Sequence, residues 1–103
     1  MELTITARHF RIQEDLKMYV EDKVQRLNRF YGEILDLEVV LGWEKITRYC
    51  EFRIKVNGKQ IVVKEITDDI RKSFDLALDK AERQLKRYKE KNRSSQKEKA
   101  VSA

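Results

Sequence analysis

Residues 48–66, RYCEFRIKVNGKQIVVKEI, decide the fold of this chain. Apolar and polar residues alternate on both sides of Asn57-Gly58, a dipeptide that favours a two-residue turn between antiparallel strands. The turn and the alternation predict one register, in which the apolar residues of both strands face the same side. The pairs predicted by this register are Val56 with Lys59, Ile54 with Ile61, and Phe52 with Val63.

The other elements follow from hydrophobic periodicity, which distinguishes strands from helices. The predicted elements are a strand at 2–7, a helix from about Gln13 to Tyr31, strands over about 34–43, 48–56 and 59–66, and a helix over 69–91. Residues 44–47 are predicted to form a loop. Thr67, Asp68 and Asp69 offer an N-cap and early negative charge for the last helix. The inward face of the second strand is predicted to carry Leu35, Leu37, Val39, Leu41 and Trp43.

The element order β-α-β-β-β-α predicts an α+β fold. Each strand has one apolar face and each helix one apolar stripe, so two helices on one face of a four-stranded sheet bury all six elements. A helix connects the first two strands, which are therefore expected to be parallel, and the other pairs antiparallel. We predict a single domain over 1–92 with a mixed sheet, followed by a disordered polar tail over 93–103.

The last helix separates its charges by face. Over 80–93, seven Lys/Arg outnumber two Glu, a net charge of +5, whereas residues 1–79 carry a net charge of −1. Such a local basic surface indicates an anionic partner, nucleic acid before a membrane surface. The alternative is an ordinary solvated helix with i,i+4 ion pairs. The stripe opposite the apolar face comprises Lys72, Lys80, Arg83, Arg87 and Lys91.

The first helix carries cations on one flank, Lys23, Arg26 and Arg29. Taken alone, these are solvated charges. If the two helices pack side by side, the three cations border the same groove as the stripe of the last helix.

Residue types that carry catalysis are scarce. The chain has one histidine, His9, and one cysteine, Cys50, and no group of ligands has metal spacing. Cys50 is predicted to be a small core residue, and His9 to be either a loop residue or an RNA contact beside Arg8 and Arg11. We therefore expect neither an enzyme nor a metal or cofactor.

Neither a membrane span nor a base-stacking platform is expected. No apolar run approaches the length of a membrane span and the N-terminus lacks a signal-peptide pattern, so a cytoplasmic protein is predicted. Most aromatic residues fall on predicted core faces. Tyr49 is the exception, on the outward face of the hairpin, where ordinary cross-strand packing is the simplest interpretation.

Two stretches resemble the ribosome hibernation promoting factor and protein Y family. The first is Asp69-x-x-x-Ser73-Phe74-Asp75-x-Ala77-x-Asp79-Lys80-Ala81-Glu82-Arg83-Gln84-Leu85-Lys86-Arg87-Tyr88-Lys89, and the second is Ile5-Thr6-Ala7-Arg8-His9-Phe10-x-Ile12. The Asn57-Gly58 hairpin also falls where the family has one. The resemblance covers about residues 1–91.

The resemblance implies a fold similar to the double-stranded-RNA-binding domain and a non-catalytic function. It implies binding to 16S-type rRNA of the small ribosomal subunit, in the channel for messenger and transfer RNA. Translation would be blocked in idle cells, under stress or in stationary phase, by a protein that we expect to be monomeric off the ribosome. The rRNA-binding residues that the resemblance implies are Arg8, Lys23, Lys80, Arg83, Lys86, Arg87 and Lys89.

Some features depart from the family pattern or leave other functions open. Arg71 stands where the family often has an aromatic residue. Long members carry a further domain that pairs ribosomes, which we expect this chain to lack, so the resemblance leaves open whether it promotes or opposes ribosome dimers. The alternatives are a general double-stranded-RNA binder, or a protein-interaction module that uses the last helix and Leu76, an apolar residue inside the basic stripe.

Overall fold

The predicted order of elements is confirmed in a computed structural model that describes the backbone of residues 1–102 and the side chains of residues 1–91. The backbone of the last helix continues past the predicted end at 91 to Ser102. The domain boundary at residue 92 and the disorder of the tail over 93–103 stay predictions. The elements are β1 Glu2–Arg8, α1 Glu14–Lys23, a 3₁₀ helix Val24–Phe30, β2 Ile34–Glu44, β3 Thr47–Val56, β4 Lys59–Thr67 and α2 Ile70–Ser102.

The four strands form one mixed sheet in the order β1-β2-β3-β4. β1 and β2 are parallel, while β2–β3 and β3–β4 are antiparallel. The hairpin has the predicted register, with Val56 opposite Lys59, Ile54 opposite Ile61 and Phe52 opposite Val63. Gly58 has a φ of 84°, which explains why glycine follows Asn57 in this turn.

The predicted first helix changes type half-way. It is α-helical to Lys23 and continues as a 3₁₀ helix to Phe30. The residues Val24, Leu27 and Phe30 recur every third position and are all buried, with exposed fractions of 0%, 0% and 2%. A 3₁₀ helix has three residues per turn, so it aligns these three side chains toward the core better than an α-helix does.

Two predictions for the second strand are wrong. The register of β2 against β3 shifts between Ile34 and Asp36. This irregularity turns Ile34 into the core and leaves Leu35 51% exposed, because an extra residue reverses the alternation. Trp43 also lies outside the core, 42% exposed, with its ring stacked on Phe10 at a centroid distance of 4.9 Å.

The predicted loop at 44–47 is a tight turn. Glu44 and Thr47 pair with each other as the last residues of β2 and β3, which leaves only Lys45 and Ile46 in the turn. Lys45 adopts a φ of 55° there.

The outward face of the sheet carries Tyr49, as predicted. Its ring covers Gly42 on the neighbouring strand and is only 8% exposed. The Lys64 ammonium lies 4.5 Å from the ring centroid. Cross-strand packing therefore accounts for Tyr49.

The hydrophobic core lies between the opposite face of the sheet and the helices. β4 runs in the same direction as β1, and each of these strands precedes a helix, so α1 and α2 run parallel to each other. Contacts between the two helices confirm this, since Tyr19 bonds to Asp75 and Asp15 to Arg71, both pairs 56 residues apart. The parallel arrangement places the basic flank of the first helical segment along α2.

Candidate nucleic-acid interface

The basic helix α2 is anchored by one face. Its predicted apolar residues lie in the core, so the opposite face is directed away from the sheet. The anchoring residues are Phe74, Ala77, Leu78, Ala81 and Leu85, all at most 1% exposed, and Tyr88 at 9%. Burial of each of the larger side chains stabilises the folded state by about 1.5–3 kcal/mol. Together, these buried contacts fix the rotation of the helix about its axis.

Hydrogen bonds hold α2 to the sheet near both ends of its packed portion. The Ser73 hydroxyl is fully buried and donates to the carbonyl oxygen of Arg48 on β3 at 2.8 Å. About four turns further along the helix, the Tyr88 hydroxyl donates to the carbonyl oxygen of Asn57 in the hairpin turn at 3.1 Å. The outward charges between these points are thereby held on a rigid support.

The acidic flank of α2 is paired with the first helical segment. Asp75 accepts a hydrogen bond from the Tyr19 hydroxyl at 2.7 Å, and this bond raises the pKa of Tyr19. Arg26 donates to Asp79 at 2.7 Å and to Glu82 at 3.3 Å. These bonds, the one to Asp79 first, raise the pKa of the Arg26 guanidinium. The carboxylates closest to the basic stripe are thus partly compensated from α1 and the 3₁₀ helix.

Cations without an acidic partner among the described residues lie on α2 over residues 83–87. Arg83, Lys86 and Arg87 are exposed. Among residues 1–91, none of the three forms a salt bridge. Cations of this kind bind phosphate groups without first having to break an ion pair.

A second group of cations surrounds the Phe30 ring. The Arg29 guanidinium lies 4.7 Å and the Lys89 ammonium 5.8 Å from its centroid. Lys89 also reaches the carbonyl oxygen of Arg29 at 3.5 Å. These residues and Lys86 line a shallow pocket of about 240 Å³, with Glu90 at its margin.

Two of the predicted residues, Lys86 and Lys89, thus meet in one pocket with Arg29, which the sequence placed only on a flank of the first helix. The sequence signal for Arg29 was its spacing from Lys23 and Arg26. Only the parallel packing of the helices brings it to α2, while Arg26 is occupied by the acidic residues of that helix.

Three further predicted rRNA-binding residues lie apart from the pocket at Phe30 and from the row Arg83, Lys86 and Arg87. Lys80 lies 3.7 Å from Glu65 of β4, on the edge of the helix nearest the sheet. Lys23 ends α1, with its ammonium 5.6 Å from the Tyr19 ring centroid. Arg8 ends β1 opposite Gly42 and is exposed.

No set of three His, Cys, Asp or Glu side chains in residues 1–91 is placed to hold a metal ion. Cys50 is fully buried, and burial raises the pKa of its thiol, which confirms its place in the core. Among the described residues, no helix is long and apolar enough to cross a membrane.

The pattern of the whole chain matches one protein family. The model of the family described as Sigma 54 modulation protein / S30EA ribosomal protein matches residues 3–93. The chain belongs to the S30EA family. This confirms the resemblance found in the sequence and places the chain among ribosome-associated proteins.

Named relatives of this S30EA protein are ribosome hibernation promoting factors. It is 32% identical over 91 residues to that of Azotobacter vinelandii, an alignment that covers 88% of this chain and 85% of the relative. It is 33% identical to that of Escherichia coli K12 over 91 residues, covering 88% and 96% of the two chains.

Solved structures of S30EA-type proteins share the fold. A ribosomal subunit interface protein from Coxiella burnetii superposes with a TM-score of 0.80 at 27% identity, covering 86% of this chain and 98% of that one. The N-terminal domain of Thermus thermophilus Protein Y superposes with a TM-score of 0.72 at 31% identity, covering 84% and 94%. The four-stranded mixed sheet with its helices is therefore the fold of these proteins.

Proposed function

We propose that this protein is a ribosome hibernation factor of the cytoplasm that blocks translation in idle cells. It binds 16S-type rRNA of the small ribosomal subunit in the channel for messenger and transfer RNA. The observation that carries this proposal is the exposed row Arg83, Lys86 and Arg87 on a helix held at both ends, in a chain whose curated relatives are named ribosome hibernation promoting factors.

The proposed mechanism is occlusion without chemistry. Arg83, Lys86 and Arg87 neutralise rRNA phosphates, and Arg29 with Lys89 extends the contact to the end of the 3₁₀ helix. Phosphate contacts fix position and orientation but not sequence. Because the sheet and both helices form one core, the protein enters the channel as a preformed wedge and loses little conformational entropy on binding.

The outlying predicted residues set the margins of the proposed contact. Lys80 borders the sheet side of α2, Lys23 the α1 side, and Arg8 the far end of the sheet. Because Arg8 ends β1 and Arg87 lies on α2, a contact that includes both joins the sheet and the helix layer of the domain.

Charge reversal on α2 tests the proposal. The double variant R83E/R87E should lose cosedimentation with purified small subunits, because two phosphate contacts become repulsive while the core stays intact. The matched control is K55E/K64E, which makes the same charge change on the outward face of the sheet and should still cosediment. If R83E/R87E has a native circular dichroism spectrum and still cosediments fully with small subunits, the proposal is contradicted.

The position in the channel needs a separate measurement. Initiator transfer RNA bound to the small subunit together with a messenger should displace the protein, with a matching loss from the pelleted fraction. An unrelated RNA duplex at the same concentration should displace it far less. Equal displacement by the duplex would instead identify a general double-stranded-RNA binder.

A further inference from the structure

The strand β4 forms one edge of the sheet and pairs only with β3. The two-residue turn makes Val56 and Lys59 a hydrogen-bonded pair, and such pairs recur at every second residue of an antiparallel ladder. The residues between them direct their backbone N–H and C=O groups away from β3, where these groups have no hydrogen-bond partner among the described residues. These residues are Gln60, Val62, Lys64 and Ile66.

The features that usually block the edge of a sheet are missing from β4. The strand is 9 residues long, its register with β3 is continuous from Lys59 to Thr67, and the chain contains no proline. A short strand, a bulge or a proline would each hinder the pairing of a further strand. A lysine can also protect an edge, but the Lys64 ammonium lies 4.5 Å from the centroid of the Tyr49 ring. The Lys64 side chain is therefore folded back over the sheet and does not project beyond the edge.

Exposed apolar side chains flank this edge. Val62 and Ile66 lie on the outward face of the sheet and are 53% and 56% exposed, and Leu76 of α2 is 41% exposed. At the opposite edge of the sheet, by contrast, β1 contributes none of the large exposed apolar side chains of residues 1–91. The two edges of the sheet therefore differ, and the apolar surface is concentrated at β4.

Contacts of neighbouring residues place Leu76 on the β4 side of α2. Three residues before Leu76, the Ser73 hydroxyl lies 2.6 Å from the Thr67 hydroxyl at the end of β4. Four residues after Leu76, the Lys80 ammonium lies 3.7 Å from the Glu65 carboxylate of β4. Residues three and four apart lie on the same face of a helix, so Leu76 borders the edge from the helix side.

We propose that β4 binds an extended acidic peptide segment of a protein partner as a fifth strand of the sheet. The backbone of an added strand bonds to the free N–H and C=O groups of β4, in the antiparallel orientation that gives the more stable pairing. Its side chains alternate between the two faces, so one set packs on Val62 and Ile66 and the other set on Leu76. The inference does not depend on the ribosomal function, and it gives a role to the apolar residue that interrupts the basic stripe.

Cations beside the edge favour an acidic segment over other occupants. Lys72 and Lys80 lie one helical turn before and after Leu76, and Lys64 lies on the outward face of the strand. Neither Lys64 nor Lys72 forms a salt bridge within residues 1–91. A second copy of this chain would bring the same cations together, and like charges on paired strands are destabilising. RNA would neutralise the cations but would leave the apolar side chains without a partner.

A designed peptide tests the edge directly. The probe is the labelled heptapeptide Thr-Val-Leu-Glu-Glu-Val-Thr with both ends blocked, which in antiparallel register places its valines opposite Ile66 and Val62 and its first glutamate opposite Lys64. Fluorescence anisotropy should show binding, and a peptide with lysine in place of both glutamates should bind more than about tenfold more weakly. N-methylation of the first glutamate removes one backbone donor and keeps every side chain, so it should weaken binding about two- to tenfold.

Matched variants of the protein separate backbone pairing from surface effects. V62P removes an N–H that points away from β3, which an edge strand tolerates, whereas V62T keeps that N–H and the branched shape of the side chain. V62P should bind the peptide about two- to tenfold more weakly than V62T. L76Q should bind about fivefold more weakly than the unsubstituted protein, whereas M18Q, at a 59% exposed position of α1, should bind equally well. Native circular dichroism of each variant verifies the fold.

Amide hydrogen exchange identifies the groups that the peptide bonds. On addition of the peptide, the N–H groups of Gln60, Val62, Lys64 and Ile66 should become protected, while the residues between them are already protected by β3. Absence of peptide binding, binding without this protection, or equal binding of the N-methylated peptide overturns the proposal. Displacement of the peptide by hexa-uridylate at equal concentration would assign the surface to RNA and also overturn it.

Discussion

Arg26 on the 3₁₀ helix lies 2.7 Å from Asp79 on α2, and its guanidinium also reaches Glu82 at 3.3 Å. This one side chain therefore offsets two carboxylates beside the basic stripe. The three side chains are partly exposed, at 45%, 54% and 29%, so the bonds contribute little to folding, on the order of 0–1 kcal/mol each. Their importance lies in the electrostatic potential along α2.

Removing those carboxylates should strengthen RNA binding. The variant D79N/E82Q leaves Arg26 without its two acidic partners, and at roughly 0.5 kcal/mol per exposed charge we expect about fivefold tighter binding to small subunits. R26Q removes one cation and leaves both carboxylates unpaired, so on the same scale it should weaken binding about twofold. The control E38Q/E51Q makes the same charge change on the outward sheet face. An equal gain in that control would show that net charge alone matters.

Salt dependence should report the phosphate contacts of α2. Each neutralised phosphate adds about 0.7–0.9 to the slope of log K against log salt concentration. R83Q/R87Q should therefore reduce the magnitude of that slope by about 1.4–1.8 in binding titrations with small subunits. The pair K55Q/K64Q serves as the control. An unchanged slope in R83Q/R87Q would remove both residues from the phosphate contact.

Gly42 and Tyr49 should be energetically coupled across the sheet. A Cβ atom at position 42 would overlap the Tyr49 ring. G42A should therefore reduce the free energy of unfolding by about 1–3 kcal/mol, as overpacking does. In a Y49A background the same change should cost little, because the overlap is gone. Urea denaturation of the four proteins gives the coupling energy, and additive effects would contradict this account.

Asp69 should stabilise the start of α2 and Asp68 should not. The Asp69 carboxylate accepts hydrogen bonds from the backbone N–H groups of Arg71 at 2.9 Å and Lys72 at 3.2 Å. D69A should lower the free energy of unfolding by about 1 kcal/mol. D68A removes the same charge one residue earlier, where no such bond forms among the described residues, and should have an effect within about 0.5 kcal/mol. Equal effects of the two variants would assign the stabilisation to charge rather than to the cap.

The elements and the hairpin register could be predicted because they depend on local patterns. Alternation across Asn57-Gly58 allows one register, since a slip by one residue would turn every apolar side chain outward. Periodicity likewise identified which face of α2 enters the core. Leu35 and Trp43 were wrongly predicted to lie in the core. A register irregularity exposes Leu35, and Trp43 lies near the end of its strand. Both features depend on the neighbouring strands and not on alternation along a single strand.

Local sequence pattern also predicts one part of the candidate site, while tertiary structure decides the rest. The sequence by itself determined the fold class, the basic stripe of α2 and, through its signature residues, the family, because these depend on residue type and short-range spacing. Tertiary structure alone decided which charges are compensated: parallel helices bring Arg26 to Asp79 and Arg29 to Lys89. It also decided that Phe10 and Trp43 stack at the surface, since residues 33 positions apart meet only when β1 and β2 pair.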